Sequence, residues 1–246
     1  MKVLLIGDQC EDIYQYGTVT RISPEAPVPV FMHQHQESRP GMAKNVASNL
    51  MAMGAKVHGI FGINQSQKTR IIDTRSKQHL LRIDHDVISP AINLDGVELS
   101  EYDAIVISDY NKGSISAELI TEARRKFVGP IFLDTKKTNL QPFANIWVKI
   151  NEQEHEKLTS KNNQLIVTLG DRGAQYQGQV FSSKAVEVVD VTGAGDTFLA
   201  ALAYEFCRTS SMPEAIQFAN AAASITVQKN GVYAPSLKQI MAALAS

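Results

Sequence analysis

The chain has 246 residues, of which 44% are hydrophobic and 20% charged, and this balance excludes an intrinsically disordered protein. Its 24 Lys and Arg residues against 25 Asp and Glu give a formal charge of −1, which argues against a nucleic-acid binder that relies on a bulk positive field. The two cysteines, Cys10 and Cys207, are too few for a disulfide framework and fit a reducing compartment. The apolar run before Asp8 is too short for a secretory signal or a membrane helix, so we expect a cytoplasmic protein without a membrane partner.

The first part of the chain predicts short strands around a single helix. Its predicted strands are Val3–Ile6, Phe31–Gln36, Val57–Phe61, Arg70–Thr74 and His79–Ile83. Residues 22–30 contain three prolines, which allow only edge or irregular extended structure. A helix is predicted from about Ala43 to Met53, ended by Gly54. The strands with polar flanks before residue 86 predict a small β appendage on a larger core.

From residue 102 onward the pattern becomes regular. The predicted strands are Ala104–Ile107, Ile131–Leu133, Trp147–Ile150 and Leu165–Leu169, with a hairpin over Ala174–Phe181. The predicted helices are Ser116–Phe127, Glu152–Leu158, Asp196–Cys207, Pro213–Lys229 and Ser236–Ala245. Apolar strands that alternate with helices are typical of an α/β protein whose mostly parallel sheet is covered on both faces.

The strongest chemical signal is the segment from Asp190 to Phe198, which reads DVTGAGDTF between a strand and an apolar helix. Glycines at 193 and 195 let the backbone turn so that N–H groups point out of the helix N-terminus, an arrangement that binds anions. Asp196 within such a site fits a general base that accepts a proton while the amides hold a phosphoryl group. The plainer interpretation is a capping Asp after a glycine turn. The chain has no P-loop, and Phe198 stands where a dinucleotide fingerprint needs its third glycine.

This segment resembles the C-terminal signature of the ribokinase-like (PfkB) sugar kinases, and the resemblance extends over nearly the whole chain. It implies one domain over residues 1–246, folded as a three-layer α/β sandwich with a mostly parallel sheet. It also implies a small β-sheet lid made of residues 13–38 and 69–85. The implied reaction is phosphoryl transfer from ATP to a sugar hydroxyl, with Mg²⁺ as cofactor and a monovalent cation left open.

The resemblance assigns the phosphate side of the site. Asp196 is the implied base, and Gly193, Ala194 and Gly195 form the implied anion hole. Asn151 and Glu154 match the Asn-x-x-Glu pair that helps to organise magnesium, although that spacing also fits the start of a surface helix. The residues expected to contact the nucleotide are Lys136, Thr168, Gly170, Gly173 and Asn220. The last of these also fits a plain Ala-rich packing helix.

On the acceptor side, the segments Arg21–Val30, Arg82–Asp84 and Ser108–Gly113 resemble the heptose-7-phosphate kinases of lipopolysaccharide-core synthesis. That resemblance implies transfer to the anomeric hydroxyl of heptose 7-phosphate, and a homodimer formed through the lid. The residues expected to bind the acceptor are Asp12, Gly41, Lys44, Asn45, Asp109 and Lys112, with Arg75 as a further candidate for its phosphate. His33 and His35 share one strand face, and we expect them to be solvated rather than metal-bound.

Several positions depart from the family pattern. Met42 replaces the second glycine of Gly-Gly-x-x-Asn, and Lys44 replaces a small residue. Residues 59–67 run almost directly into Arg70–Thr74, where relatives carry a further helix and strands, so we expect a shortened member. Two alternatives stay open. One is a kinase of another small sugar or a nucleoside, and the other is a catalytically silent sensor of nucleotides or sugar phosphates.

Overall fold

A computed structural model describes residues 1–162 and 164–245. Its strands are β1 (Lys2–Ile22), β2 (Pro29–Met42), β3 (Lys56–Asp73), β4 (His79–His85), β5 (Ala104–Asp109), β6 (Ile131–Thr135), β7 (Trp147–Asn151), β8 (Leu165–Thr168), β9 (Ala174–Tyr176) and β10 (Gln179–Phe181). Its α-helices are α1 (Ala43–Ala52), α2 (Ala117–Lys126), α3 (Glu152–Glu156), α4 (Ala194–Thr209), α5 (Met212–Thr226) and α6 (Leu237–Ala245). In this described part, no helix is both long and apolar enough to cross a membrane.

The centre of the sheet is parallel. Strands follow the order β8-β7-β6-β5-β1-β3, and each neighbouring pair in this run is parallel. The hairpin β9–β10 joins antiparallel at the β8 edge, as the sequence predicts for residues 174–181. Parallel strands end at the same sheet edge, so the loops after β5, β6 and β7 open on one side of the molecule.

Hydrophobic side chains cover both faces of this sheet. Val3 and Leu5 belong to a buried cluster with α1, α4, α5 and α6, whereas Leu4 and Ile6 belong to a second cluster with α2. Successive side chains of a strand point to opposite faces, so a single apolar run supplies both clusters. The predicted three-layer α/β sandwich is confirmed.

Two strands continue beyond this core without a break. β1 and β3 pair in parallel from Lys2 and Lys56 to Gly17 and Asp73, with a register shift only between Gly7 and Gln9. Their outer halves pair antiparallel with β2 and β4, and together these strands contain the segments predicted as the lid. The sequence predicted separate strands at 57–61 and 70–74. They are parts of one strand, because the short connecting segment stays extended, although residues 62–64 bulge between the pairings of Phe61 and Gln65 with β1.

Most helix bounds agree with the sequence prediction to within a few residues. Helix α5 ends at Thr226, three residues before its predicted end. Helix α4 begins at Ala194, two residues earlier than predicted, because Gly193 adopts a left-handed conformation (φ 78°) that caps the helix. Helix α3 is shorter than predicted and ends at Glu156. No strand or helix is assigned over residues 182–192, so the expected strand directly before the glycine motif is wrong; irregular backbone leads into α4 instead.

Candidate active site

The N-terminus of α4 faces α1 across a close contact. A Cβ atom at Gly193 would lie 2.7 Å from Asn45 Nδ2, and the positive φ there also favours glycine. The first N–H groups of a helix have no intrahelical acceptor and carry the positive end of its dipole. The Ala194 N–H donates to the Val191 carbonyl oxygen at 3.3 Å, so Gly193 and Gly195 are the residues of this turn that can offer backbone donors beside Asn45.

Asp196 is buried directly behind this turn, with 4% of its surface exposed. Its Oδ2 accepts a hydrogen bond from Asn45 Nδ2 (2.9 Å), and its Oδ1 accepts one from the Tyr110 hydroxyl (2.7 Å). Burial raises the pKa of Asp196 from its ordinary value of 3.8 to about 6, although the two hydrogen bonds lower it. A carboxylate with a pKa near neutrality is suited to accept and release a proton.

A buried ion pair stands next to the glycine turn. Lys149 Nζ lies 2.8 Å from Asp134 Oδ2, and both side chains are almost completely buried. The same Nζ lies 2.9 Å from the place that a Cβ on Gly195 would occupy. The other carboxylate oxygen of Asp134 is buried without a hydrogen-bond partner. An ammonium group thus supports the anion hole. The sequence analysis missed Lys149, although a lysine within the apolar strand β7 was a usable signal.

Asn151 and Glu154 form the N-terminal capping box of α3. Asn151 Oδ1 accepts from the Glu154 N–H, and Glu154 Oε2 accepts from the Asn151 N–H, each at 2.8 Å. The other oxygen of Glu154 binds Lys136, whose pKa is raised because Asp134 and Glu154 outweigh the effect of burial. The pair is therefore a helix start, as the plainer interpretation held, and its magnesium role stays a prediction.

The oxygen donors of this pair are of the hard type that Mg²⁺ prefers. Within residues 1–162 and 164–245, however, no group of three or more His, Cys, Asp and Glu side chains could hold a metal ion. Asn151 and Glu154 consequently fit an ion that keeps most of its water ligands, not one enclosed by the protein.

Four of the five residues predicted for the nucleotide line one cavity of about 400 Å³. They are Thr168, Gly170, Gly173 and Asn220, and the cavity reaches Ala194 and Gly195 at the α4 turn. Its remaining lining includes apolar side chains, among them Val186, Val188, Val191, Phe198 and Val227. An apolar slot that ends at backbone donors suits a planar base with attached phosphates. Lys136 does not line this cavity and instead pairs with Glu154.

On the acceptor side, Asp12 lies buried beside Cys10 and Gly41. Arg70 from β3 forms an ion pair with Asp12 at 2.5 Å, and a Cβ at Gly41 would overlap the Asp12 carboxylate. Burial raises the pKa of Cys10 to about 12, and the negative charges of Asp12 and Asp196 contribute to the rise. Met42, at the place of the family's second glycine, has a φ of 53°, so the backbone keeps a conformation that glycine favours.

The other predicted acceptor residues already have partners. Asp109 accepts from Thr135 Oγ1 (2.6 Å) and from Lys137 Nζ (2.7 Å), and so ties β5 to β6. Lys44 donates to Gln65 at 3.0 Å. Lys112 pairs with Asp86 at 2.5 Å, and Arg75 lies in the turn between β3 and β4, 3.7 Å from Asp73. His33 and His35 are exposed on β2.

Three side chains that the sequence analysis did not select contact Asp12 or Asp196, or lie beside a residue that does. Arg70 reaches Asp12, Tyr110 reaches Asp196, and Lys68 Nζ lies 5.3 Å from the centre of the Tyr110 ring. No short motif places them together, because β1, β3 and the loop after β5 meet only in the folded chain. The sequence gives one indication, which is that Lys68 and Arg70 are two residues apart on one strand and therefore point to the same face.

Comparison with known sequences identifies one family and several relatives. The family model for "pfkB family carbohydrate kinase" matches residues 135–239. The chain is 31% identical to the Bifunctional protein HldE of Helicobacter pylori (strain J99) over 303 positions, which cover 97% of the chain and 65% of the relative. It is 34% identical to the Bifunctional protein HldE of Hydrogenovibrio crunogenus, covering 94% of the chain and 60% of that protein. The chain thus spans about two thirds or less of the length of these relatives.

Solved structures share the fold over the whole chain. Arabidopsis thaliana ribokinase, complexed with ribose and ATP, aligns with a TM-score of 0.74 at 18% identity and covers 99% of this chain and 98% of its own. Phosphofructokinase-2 from Escherichia coli, in complex with potassium, aligns with a TM-score of 0.74 at 17% identity. The alignment covers 100% of this chain and 99% of the phosphofructokinase chain. At such identities the likeness concerns the fold alone, and it confirms the ribokinase-like architecture.

Proposed function

Because residues 135–239 match the pfkB family of carbohydrate kinases, we propose that this chain transfers the γ-phosphoryl group of ATP to a hydroxyl of a sugar phosphate. The observation that carries the proposal is Asp196. This carboxylate is buried, has a pKa of about 6, directly follows Gly195 of the cavity lining, and accepts a hydrogen bond from Asn45 on the acceptor side. A helix cap needs no such environment, whereas a general base does.

Proton transfer and phosphoryl transfer are arranged around the α4 turn. Asp196 takes the proton of the acceptor hydroxyl, whose oxygen forms a bond to the γ-phosphorus as the bond from that phosphorus to the bridging oxygen of ADP breaks. The backbone N–H groups of Gly193 and Gly195 would stabilise the charge on the transferring group, and the Ala194 N–H could join them by leaving the Val191 carbonyl. Lys149, next to Gly195, adds a positive charge. Catalysis is then mainly positioning and electrostatic stabilisation.

Asn151 and Glu154 would hold Mg²⁺ through water, and the ion would supply positive charge to the ATP phosphates. The chain's own part in this step is positional. The capping box fixes both side chains at the end of β7, and Lys136 is tied to Glu154 on the same side. The proposed reaction leaves open a monovalent cation as a second metal cofactor.

The cations on the acceptor side support an anionic acceptor. Arg70 and Lys68 project from β3 near Asp12 and Tyr110, and Lys44 lies on the neighbouring helix α1. A phosphate on the acceptor would find charge-assisted hydrogen bonds there. The resemblance of residues 21–30, 82–84 and 108–113 to heptose-7-phosphate kinases favours heptose 7-phosphate and its anomeric hydroxyl. Another sugar or a nucleoside remains the in-class alternative.

The decisive experiment incubates the chain with ATP, Mg²⁺ and a panel of sugar phosphates, sugars and nucleosides, with products identified by phosphorus NMR. We expect a sugar bisphosphate, and a fall in turnover of about 10²–10⁴ in Asp196→Asn. Asp95→Asn, which changes an exposed carboxylate elsewhere, should keep normal turnover. Ligand binding without turnover on any acceptor would instead support the sensor alternative.

We further propose that the protein forms a homodimer through the lid. Ile22, Met32, Leu81 and Ile83 expose half or more of their surfaces on the lid strands, and exposed apolar sheet favours pairing with a second copy. Light scattering at tens of micromolar should give a dimer mass, and Ile83→Lys should give a monomer. A monomeric wild-type protein would contradict the proposal.

A further inference from the structure

Tyr110 lies in the loop that follows β5, and this loop is fastened to β1. Asp8 Oδ2 accepts from the backbone N–H groups of Tyr110 (2.8 Å) and Lys112 (3.1 Å), and the Ser114 hydroxyl donates to the other oxygen of Asp8. Asp8 itself is 2% exposed. The loop therefore holds its conformation through a buried carboxylate, which places the tyrosine side chain with little freedom.

The Tyr110 side chain contacts both halves of the proposed site. Its hydroxyl donates to Asp196 Oδ1 at 2.7 Å. The ammonium groups of Lys68, from the acceptor side, and Lys136, from the magnesium side, each lie 5.3 Å from the centre of its ring. Such cation–π contacts fix the plane of the ring as well as its position. One side chain thus meets the base and two of the nearby cations.

The carboxylate of Asp196 is held at both oxygens by donors from different parts of the chain. Asn45 on α1 binds Oδ2, and Tyr110 after β5 binds Oδ1. With only one donor, the carboxylate could rotate about its Cβ–Cγ bond, because that torsion is broad. With both donors, the orientation is fixed and each oxygen keeps lone pairs for the acceptor's proton.

We propose that Tyr110 is a positioning residue for phosphoryl transfer, whose hydroxyl orients the Asp196 carboxylate toward the acceptor hydroxyl. The inference rests on the kinase function proposed above. Burial and the neighbouring negative charge of Asp196 raise the pKa of Tyr110 well above 10, so its hydroxyl remains a donor throughout the working pH range.

The hydrogen bond from Tyr110 also affects the proton affinity of the base. Burial and the charge of Asp134 raise the pKa of Asp196. The hydrogen bond from Tyr110 favours the charged carboxylate and so lowers that pKa, as do Asn45 and the charge of Lys149. The charged or titratable groups around Asp196 are Cys10, Tyr110, Asp134, Lys136 and Lys149. Loss of the tyrosine hydroxyl leaves all the others in place, so the pKa of Asp196 should rise.

The test is Tyr110→Phe, which keeps the ring and its two cation contacts. The acidic limb of kcat/KM against pH should move upward by about one unit, and kcat at pH 7 should fall about 10- to 100-fold with KM for ATP nearly unchanged. Carbon-13 NMR of labelled Asp carboxyls should show the same rise in the Asp196 pKa without any turnover. The matched control is Tyr176→Phe, because Tyr176 packs on Trp147 at the far end of the sheet. This variant should change neither the pH profile, nor kcat, nor the Asp196 titration.

The outcomes separate this inference from the function on which it rests. An active wild-type enzyme with an unchanged pH profile and carboxyl titration in Tyr110→Phe overturns the role of Tyr110 alone. An equal loss of activity at every pH, with an unshifted titration, also overturns it, because a merely structural defect behaves in that way. A wild-type protein without turnover on any acceptor removes the kinase function itself.

Discussion

Replacing Asp196 with Asn should make the protein more stable while it removes the base. The folded structure raises the pKa of this carboxyl from 3.8 to about 6, so above pH 6 it holds a charge that burial disfavours. One pKa unit corresponds to about 1.4 kcal/mol, so the charge costs about 3 kcal/mol of unfolding free energy at pH 7. Asn carries no charge and does not incur this cost.

The hydrogen bonds around the site can accommodate the amide. The Oδ1 atom of the new Asn can accept from Asn45, and its Nδ2 can donate to the Tyr110 hydroxyl, which rotates to become an acceptor. Proton binding predicts the same direction for the stability difference between the variant and the wild type. Because the folded pKa is raised, the folded wild type gains stability as the pH falls from 6 toward 4, and the advantage of the variant shrinks to about 0.5 kcal/mol at pH 4.

Urea denaturation of both proteins at pH 7, 5 and 4 measures this difference directly. At pH 7 the gain of about 3 kcal/mol corresponds to a rise in Tm of about 6–12 °C for a chain of this size. Asp190→Asn is a control for which we expect the opposite change in stability. Burial opposes the charge of Asp190, but hydrogen bonds from Thr192 and Gly231 outweigh it and lower its pKa, so that variant should lose stability at pH 7. An Asp196→Asn protein that is no more stable at pH 7, or whose gain does not depend on pH, refutes the reasoning.

Three further substitutions test the site. Glu154→Gln keeps the capping box but weakens the charge toward Mg²⁺, so titration of activity with Mg²⁺ should show a higher requirement and a lower maximum. Lys149→Met leaves Asp134 buried and unpaired, which should cost about 3–5 kcal/mol in urea denaturation; adding Asp134→Asn should restore most of the stability but not the turnover. In thermal melts, Gly178→Ala should lose about 1–2 kcal/mol from left-handed strain alone. Gly193→Ala should lose more, because its Cβ would also crowd the side-chain amide of Asn45.

The sequence predicted the parts of the site that lie in short motifs. The glycine turn before Asp196 and the pair Asn151 and Glu154 follow from local spacing. Four of the five predicted nucleotide residues line one cavity, three of them at or just after the end of β8 and the fourth on α5. Tyr110 could not be found in this way, because it reaches Asp196 only through packing of a distant segment against α4. Lys149 had one local signal, a lysine within an apolar strand, but that signal does not show which residues it contacts.

The unbroken strands β1 and β3 have a mechanical consequence for the lid. A lid joined through loops can swing on them, but here two paired strands run from the core into the segments predicted as the lid, so these segments can move only as the sheet bends. The register shift between Gly7 and Gln9 is the natural point of flexure, and it encloses Asp8, the carboxylate that fastens the Tyr110 loop. Bending at this point would move the loop that carries Tyr110, and with it the hydroxyl that contacts Asp196. Backbone amides of β1 on the two sides of residue 8 should therefore exchange with deuterium at similar rates, whereas a freely hinged lid would exchange much faster.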